Sequence, residues 1–400
     1  MTRPFGAKRA VLVVGAGASI EYGAPSTAAL TAEIELKVIA DEWMKSCGGD
    51  QAFQLIKQQL EGYLRQPGDV NFEHIYHCAH ELSYFFAPSA QAVNEYRPLL
   101  HPFLELKDGL SERALRPLCD KIVDVIYSAV STASGANTLG LQPFSNFIEG
   151  LQADFVTRVY TTNYDDFILQ ASPDLYTGFP QPRSPGPKRF ALAEFWAHEN
   201  DHALFHLHGA VHLGFPHPMP ADSDIGDLYW FDDRAEAFRR RQFGGSDVLR
   251  MDGTQVMRTS IITGLDKLSR LQQRPLSHYY AALARDLMHA DVIYVLGSGL
   301  TDLHVNTWLR EARMLRPAPP IIVVDKWREP FLQATAWDHS RKEIHLWHDL
   351  GILAKGPSGG TRMGTAWTLS QDRTAAIWDQ GFQAFLAAPT ELKDVLDQMR

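Results

Sequence analysis

AVLVVGAG, residues 10 to 17, begins as an unbroken apolar run and stops at glycine. A Val-rich run without polar alternation is the pattern of a strand buried on both faces of a parallel sheet. The pattern recurs in FVTRVYTT (155 to 162), ALFHLHG (203 to 209), DVIYVLGSG (291 to 299) and PIIVVDK (320 to 326), with EIHLWH (343 to 348) as a sixth candidate. Helical stretches lie between these runs. The alternation predicts an α/β fold: a Rossmann-like parallel sheet with helices on both faces.

Two spans interrupt that alternation. Residues 27 to 135 read as helical throughout, with Phe72, Ile75, Tyr76, Ala79 and Leu82 at three-to-four spacing, and predict a large helical insertion after the first strand and turn. Residues 172 to 190, rich in Pro, Gly and Arg, read as a long loop, and 214 to 260 contain another irregular stretch. The expected organisation is an α/β domain over 1–350, followed by a loop and terminal helices over 351–400.

The segment after the first strand, VVGAGASIEYGAPS, holds Gly15, Ala16, Gly17 and Ser19. Such a loop can cradle a phosphate at a helix N-terminus, or it can be a tight turn with no ligand. Position 20 is Ile where the G-x-G-x-x-G dinucleotide fingerprint needs glycine. In RVYTTNYDDFILQ (158 to 170), Thr161, Asn163 and Asp165 fall where a parallel strand reaches its carboxyl end, the edge where open α/β sheets bind ligands. An amide there can hold a ribose hydroxyl or orient water, and Asp165 can accept from an amide; a helix cap is the plainer alternative.

His208, followed by Gly209, ends the next strand and is a candidate general base; a structural imidazole is the alternative. Strand alternation puts His206 on the same face as His208. Gly297, Ser298 and Gly299 end the fourth strand, Asp302 follows near the start of a helix, and Asp325 ends the fifth strand, placed like an acid that accepts ribose hydroxyls. His74, His77 and His80 read as a polar helix face rather than metal ligands.

Composition bounds the rest. Hydrophobic residues make up 45% and charged residues 21% of the 400, as in a globular protein. A net charge of -9 argues against direct nucleic-acid binding, and Arg239, Arg240 and Arg241 read as a solvated helix face. Three cysteines, Cys47, Cys78 and Cys119, without close spacing, exclude a four-cysteine zinc site and fit a reducing compartment. No run approaches the roughly 18 apolar residues of a membrane span. The chain reads as soluble and cytoplasmic, with no membrane contact and no metal expected.

Taken in order, these segments resemble the sirtuin family. Its G-A-G-x-S loop followed by Gly and Pro is matched by Gly15, Ala16, Gly17, Ser19, Gly23 and Pro25. Its T-x-N-x-D segment is matched by Thr161, Asn163 and Asp165, its H-G pair by His208 and Gly209, and its late glycine–serine loop by Gly297 and Ser298. The resemblance implies that NAD is the substrate, with Asn163 and His208 at the nicotinamide ribose and Asp165 near the nicotinamide amide.

There are departures. The zinc module is missing, and Ser26, Thr27 and Ala28 stand where deacylating sirtuins carry D-F-R. The form of the late loop, with Asp302, and NFEHIYHCAHEL (71 to 82) are similar to a bacterial sirtuin-like branch that cleaves NAD in anti-phage defence. The resemblance to that branch implies an NAD glycohydrolase. An NAD or ADP-ribose sensor without chemistry, and a zinc-free deacylase or ADP-ribosyltransferase, are the other readings. A toxic NADase must be restrained, so a homo-oligomer is expected, or a partner such as a co-encoded hexameric DNA-translocating ATPase.

Overall fold

The computed structural model describes residues 7–64, 70–85, 109–136, 138–180, 186–217, 226–243, 258–265, 267, 273–327, 346, 350 and 360–399. Ten strands are seen: β1 (Arg9–Val14), β2 (Val156–Thr161), β3 (Ala203–His206), β4 (Leu213–Gly214), β5 (Tyr229–Trp230), β6 (Val292–Leu296), β7 (Ile321–Val324), β8 (Gly360–Met363), β9 (Trp367–Ser370) and β10 (Ala375–Trp378). Eight of them form one sheet in the order β3-β2-β1-β6-β7-β10-β9-β8, and β4 and β5 pair separately.

Strands β3, β2, β1, β6, β7 and β10 are parallel throughout. Counted among themselves they run 3-2-1-4-5-6, the doubly wound order in which the chain reverses direction between the first and fourth strands. Here that switch point lies between β1 and β6. The five segments expected as parallel strands are all present, although β3 ends at His206 rather than 209. The candidate at 343–348 falls outside the described residues, apart from the buried Leu346.

Helices cover both faces. Val11 is in register with Arg158 on one side and Ile293 on the other, so Tyr294 points to the face opposite Arg158. Arg158 reaches Asp286 of the helix Leu276–Met288, while Tyr294 meets Phe147 of the helix Gln142–Asp154 edge-on at 5.6 Å. Strands so covered have no solvent side, and β1, β2, β3, β6 and β7 are buried at every position.

Among the described residues the helical insertion shows five helices, Thr27–Ala40, Glu42–Cys47, Gly49–Tyr63, Phe72–Ser83 and Glu112–Ala136. It has its own apolar core, including Ile34, Phe53, Ile75 and Ile122, which extends onto Val211, Tyr229 and Ile261 of the irregular region. The three-to-four spacing around residue 72 therefore faces a second core rather than the sheet.

The C-terminal segment differs from expectation. It is not only a loop and helices, because β8, β9 and β10 extend the main sheet and make its far edge antiparallel. Ala375, Ala376 and Ile377 are buried against β7. The helix Phe382–Leu386 starts on the carboxylate of Glu21, which accepts from the Phe382 and Gln383 amides at 3.0 and 2.6 Å. The tail is thus bonded to the segment just after the glycine loop. Residues 351–359 lie outside the described residues.

Candidate functional site at the sheet switch point

Because the strands are parallel and in register, with Val14 opposite both Thr161 and Leu296, their carboxyl ends finish at one level. The segments that follow β1, β2, β3 and β6 converge there around a cavity of about 380 Å³. That volume is within the range of small-molecule sites.

The two glycine loops lock against each other. Gly15 N–H donates to Leu296 O at 2.9 Å and Gly17 N–H to Gly297 O at 2.7 Å. Gly297 has φ +59°, and a Cβ there would lie 2.0 Å from the Ala18 nitrogen. The conformational freedom expected to admit a ligand is spent, at Gly297, on this close loop-to-loop contact. Gly209 follows the same rule: at φ +86° its Cβ would meet Ser260 O at 2.2 Å. The segment from Ser260 can then pair with the chain at His208, where Ile262 N–H donates to His208 O at 2.7 Å.

Asn163 is buried, and its amide nitrogen donates to Gly15 O at 2.9 Å and Ser19 Oγ at 2.8 Å. It fastens the glycine loop to β2. Its Oδ1 is buried with no partner. An acceptor left so costs about 1–3 kcal/mol, a cost that a bound hydroxyl or water would relieve. Thr161 does not line the cavity; its hydroxyl bonds Val14 O at 3.2 Å and accepts from Asn163 N–H at 3.0 Å, fixing the turn that presents the amide.

Asp165 lines the cavity, is buried, and accepts from Phe167 N–H at 3.2 Å. Burial pushes its carboxyl from an ordinary 3.8 up to about 6, against the opposing bonds from Ser19 and Phe167. The Ser19 hydroxyl therefore links Asn163 to Asp165.

His208 lines the same cavity and is 4% exposed. Its Nε2 lies 2.7 Å from Asp302 Oδ2, and both groups are largely buried. Burial pulls the imidazole below its ordinary range, and the Lys267 ammonium adds to this, against the pull of Asp302. Asp302 caps the helix Leu303–Met314, Oδ1 accepting from His304 N–H at 3.0 Å. Burial would raise its carboxyl, but His208, Lys267 and His304 together hold it well below the usual carboxylate range.

The structure therefore brings together Gly15, Ala16, Gly17, Ser19, Asn163, Asp165, His208, Gly297, Ser298 and Asp302. Asp325 ends β7 as expected, but does not line the cavity; its Oδ1 accepts from Lys326 N–H at 2.7 Å. His206, expected on the same face as His208, does not line the cavity. The strand stops at His206, so alternation does not extend to 208; its Nδ1 contacts Asn163 O at 3.2 Å and burial lowers it to about 4. His212 is structural, held between Phe231 O at 2.8 Å and Asp166 Oδ2 at 3.0 Å. His74 closes a capping box with Asn71.

Two charged cavity residues were not anticipated. Glu73 arrives from the helical insertion, in the second position of the helix Phe72–Ser83. Lys267 comes from the segment paired at His208, its Nζ 3.7 Å from Asp302 Oδ2. Glu73 lies in the N-F-E stretch noted in the sequence, whereas nothing local marks Lys267. Among the described residues, no group of three or more His, Cys, Asp or Glu side chains could hold a metal ion, and no helix is long and apolar enough to cross a membrane.

No curated protein matches the chain. Among solved structures, one from work on the mechanism and regulation of Sir2 enzymes is 14% identical, covering 81% of this chain and 82% of that one with a TM-score of 0.36. A Sir2 homolog–NAD complex is 12% identical, covering 81% and 80%, with a TM-score of 0.35. A family model does match within this chain: residues 157–353, which carry most of β2, all of β3, β6 and β7, and the Asn163, His208 and Gly297 segments, match the SIR2-like domain.

Proposed function

We propose that the chain is an NAD glycohydrolase that releases nicotinamide and ADP-ribose, and that it serves as an effector in bacterial anti-phage defence. The SIR2-like match supports an enzyme that binds and processes NAD. The observation that carries the finer reading is the convergence of Asn163 and His208 on one cavity at the switch point, with Asn163 Oδ1 unpaired and His208 held neutral by burial. A site that only binds has no need of a neutral imidazole beside an ionised carboxylate.

In this reading the bond between the ribose carbon and the nicotinamide nitrogen breaks, and its electron pair neutralises the departing ring. Positive charge develops on the ribose, near the carboxylates of Asp165, Asp302 and Glu73. Asn163 Oδ1 orients a ribose hydroxyl or the attacking water, and His208 takes the proton that this water loses. Asp165 accepts from the nicotinamide amide. General base assistance contributes about 10²–10⁴ in rate, and positioning the remainder.

The test is an assay of NAD, nicotinamide and ADP-ribose with the purified chain, alone and with the protein encoded by its genomic neighbour. Stoichiometric nicotinamide and ADP-ribose are expected. NAD bound but recovered intact in both arms would overturn the glycohydrolase reading in favour of a sensor. Appearance of acyl-ADP-ribose only with acylated peptide would identify a deacylase.

A further inference from the structure

We propose that Asp302 is the positioning residue of His208: a carboxylate fixed on a helix N-terminus turns the imidazole so that Nε2 faces Asp302 and Nδ1 is left for the cavity. The inference rests on the reading of His208 as a general base. Asp302 Oδ2 is 2.7 Å from His208 Nε2, while His208 Nδ1 bonds to no described residue. The other oxygen, Oδ1, is tied to His304 N–H at 3.0 Å, so the carboxylate cannot swing freely. Asn306, one turn along the same helix, donates from Nδ2 to Leu300 O at 2.6 Å and steadies the loop that leads into the cap.

Lys267 shares the arrangement. Its ammonium is 3.7 Å from the same Asp302 oxygen, on the segment bonded to His208 O. The charged groups acting on His208 are therefore Asp302 from the helix cap, Lys267 from the 258–267 segment and Glu73 from the insertion. Asp302 and Glu73 favour the imidazolium that forms when the base takes a proton, and Lys267 opposes it. Asp302 stabilises the protonated base without touching the reacting atoms, and Lys267 keeps the resting imidazole neutral.

The two charges act with opposite sign, which gives a test that a purely structural role would not pass. Asp302→Asn keeps a residue type well suited to helix capping and removes the charge. Lys267→Met removes the opposing charge. With histidines labelled at Cε1, the His208 resonance, assigned by its loss in His208→Gln, is followed by NMR against pH without NAD. Its midpoint should move down in Asp302→Asn and up in Lys267→Met, and the acid limb of kcat/KM for NAD should follow in the same directions. The kcat of Asp302→Asn should fall about 10²-fold, the lower end of what a general base contributes. A His208 midpoint unmoved by Asp302→Asn, or moved the same way by both substitutions, overturns the proposal. If the wild type releases no nicotinamide, the glycohydrolase reading fails, while the NMR titration still decides the pairing.

Discussion

Two buried polar clusters lie on the same parallel strands. Toward the amino ends, Arg9 on β1, Arg158 and Tyr160 on β2, and Asp286 on the helix Leu276–Met288 form one network. Asp286 is fully buried and contacts Arg9, Arg158, Tyr160 and Arg285, with Arg158 Nε at 2.7 Å and Arg285 Nη2 at 3.0 Å. Arg158 also donates to His198 O and Asp201 O at 3.1 and 2.9 Å. None of these side-chain atoms is left unpaired. At the carboxyl ends, by contrast, Asn163 Oδ1 is buried without a partner, and the ion pair of His208 Nε2 with Asp302 Oδ2, at 2.7 Å, lines an open cavity. Groups that satisfy one another hold a fold together, whereas groups left wanting at the edge where such sheets bind ligands are there for something else. The two ends should therefore fail in different ways.

The largest effect is expected at the carboxyl edge and on activity alone. His208→Ala should lower nicotinamide release by about 10²–10⁴-fold, with thermal unfolding close to that of the wild type. His208→Ala turning over NAD at the wild-type rate would remove the base from the mechanism. At the amino end, Asp286→Asn should do the reverse. It strands Arg9 and Arg158 in the interior, and breaking a buried ion pair costs about 3–5 kcal/mol, measurable by urea denaturation. Burial works to raise the Asp286 carboxyl, but Arg158, Arg9 and Arg285 outweigh it and hold it below its ordinary value. Its contribution to stability is present above about pH 4 and is lost as pH falls through the depressed pKa. A loss under about 1 kcal/mol would place this cluster with ordinary surface pairs and blur the contrast.

How much of this contrast could be read in the sequence depended on the range of the interactions. The strands were legible because full burial leaves a local mark, unbroken Val and Ile, and a site at their carboxyl edge followed from the residues at strand ends, while the strand order that makes it a switch point did not. Residues 360–364 read as loop and 372–378 as the start of the terminal helices because GTRM and WTLSQDRTAAIW are polar or short, and their strand character comes from β10 pairing with β7 and β8 and β9 building outward from it. Arg158 and Asp286, 128 positions apart, gave no signal of pairing. Lys267 reaches Asp302 from beyond a stretch that packs closely on Gly209, a contact between distant segments that no spacing encodes. Glu73 was visible as part of N-F-E, but its place in the cavity depends on how the insertion docks on the sheet.

Asp165 sharpens the comparison by pH. Its folded-state carboxyl is raised from 3.8 to about 6, so ionisation is harder in the folded chain than in the unfolded one. Between these values the native state holds more protons, and stability falls as pH rises. The penalty is complete above about pH 6 and amounts to about 3 kcal/mol. Asp165→Asn removes the charge but keeps an acceptor for Phe167 N–H, and should raise stability at pH 7 by about 1–2 kcal/mol, less than the full penalty because the Ser19 bond is altered. The gain should vanish below pH 4, and nicotinamide release should fall. A variant no more stable than the wild type at pH 7 would mean that the carboxyl edge is as well satisfied as the amino end.

The smallest effect tests whether the insertion belongs with the site or with the scaffold. Asn71 caps the helix that carries Glu73, accepting from Glu73 N–H at 2.9 Å and His74 N–H at 3.4 Å, while His74 Nδ1 accepts from Asn71 N–H at 3.2 Å. Asn71→Ala should cost about 1 kcal/mol of stability, seen as a modest drop in unfolding midpoint. The core around Ile75 and Tyr76 continues to hold the helix, so kcat should stay near wild type. If kcat instead collapsed while the unfolding midpoint moved only slightly, the position of Glu73 would matter to the chemistry itself. The unsatisfied edge would then extend from the sheet into the insertion, and the second core would exist to aim a carboxylate at the cavity.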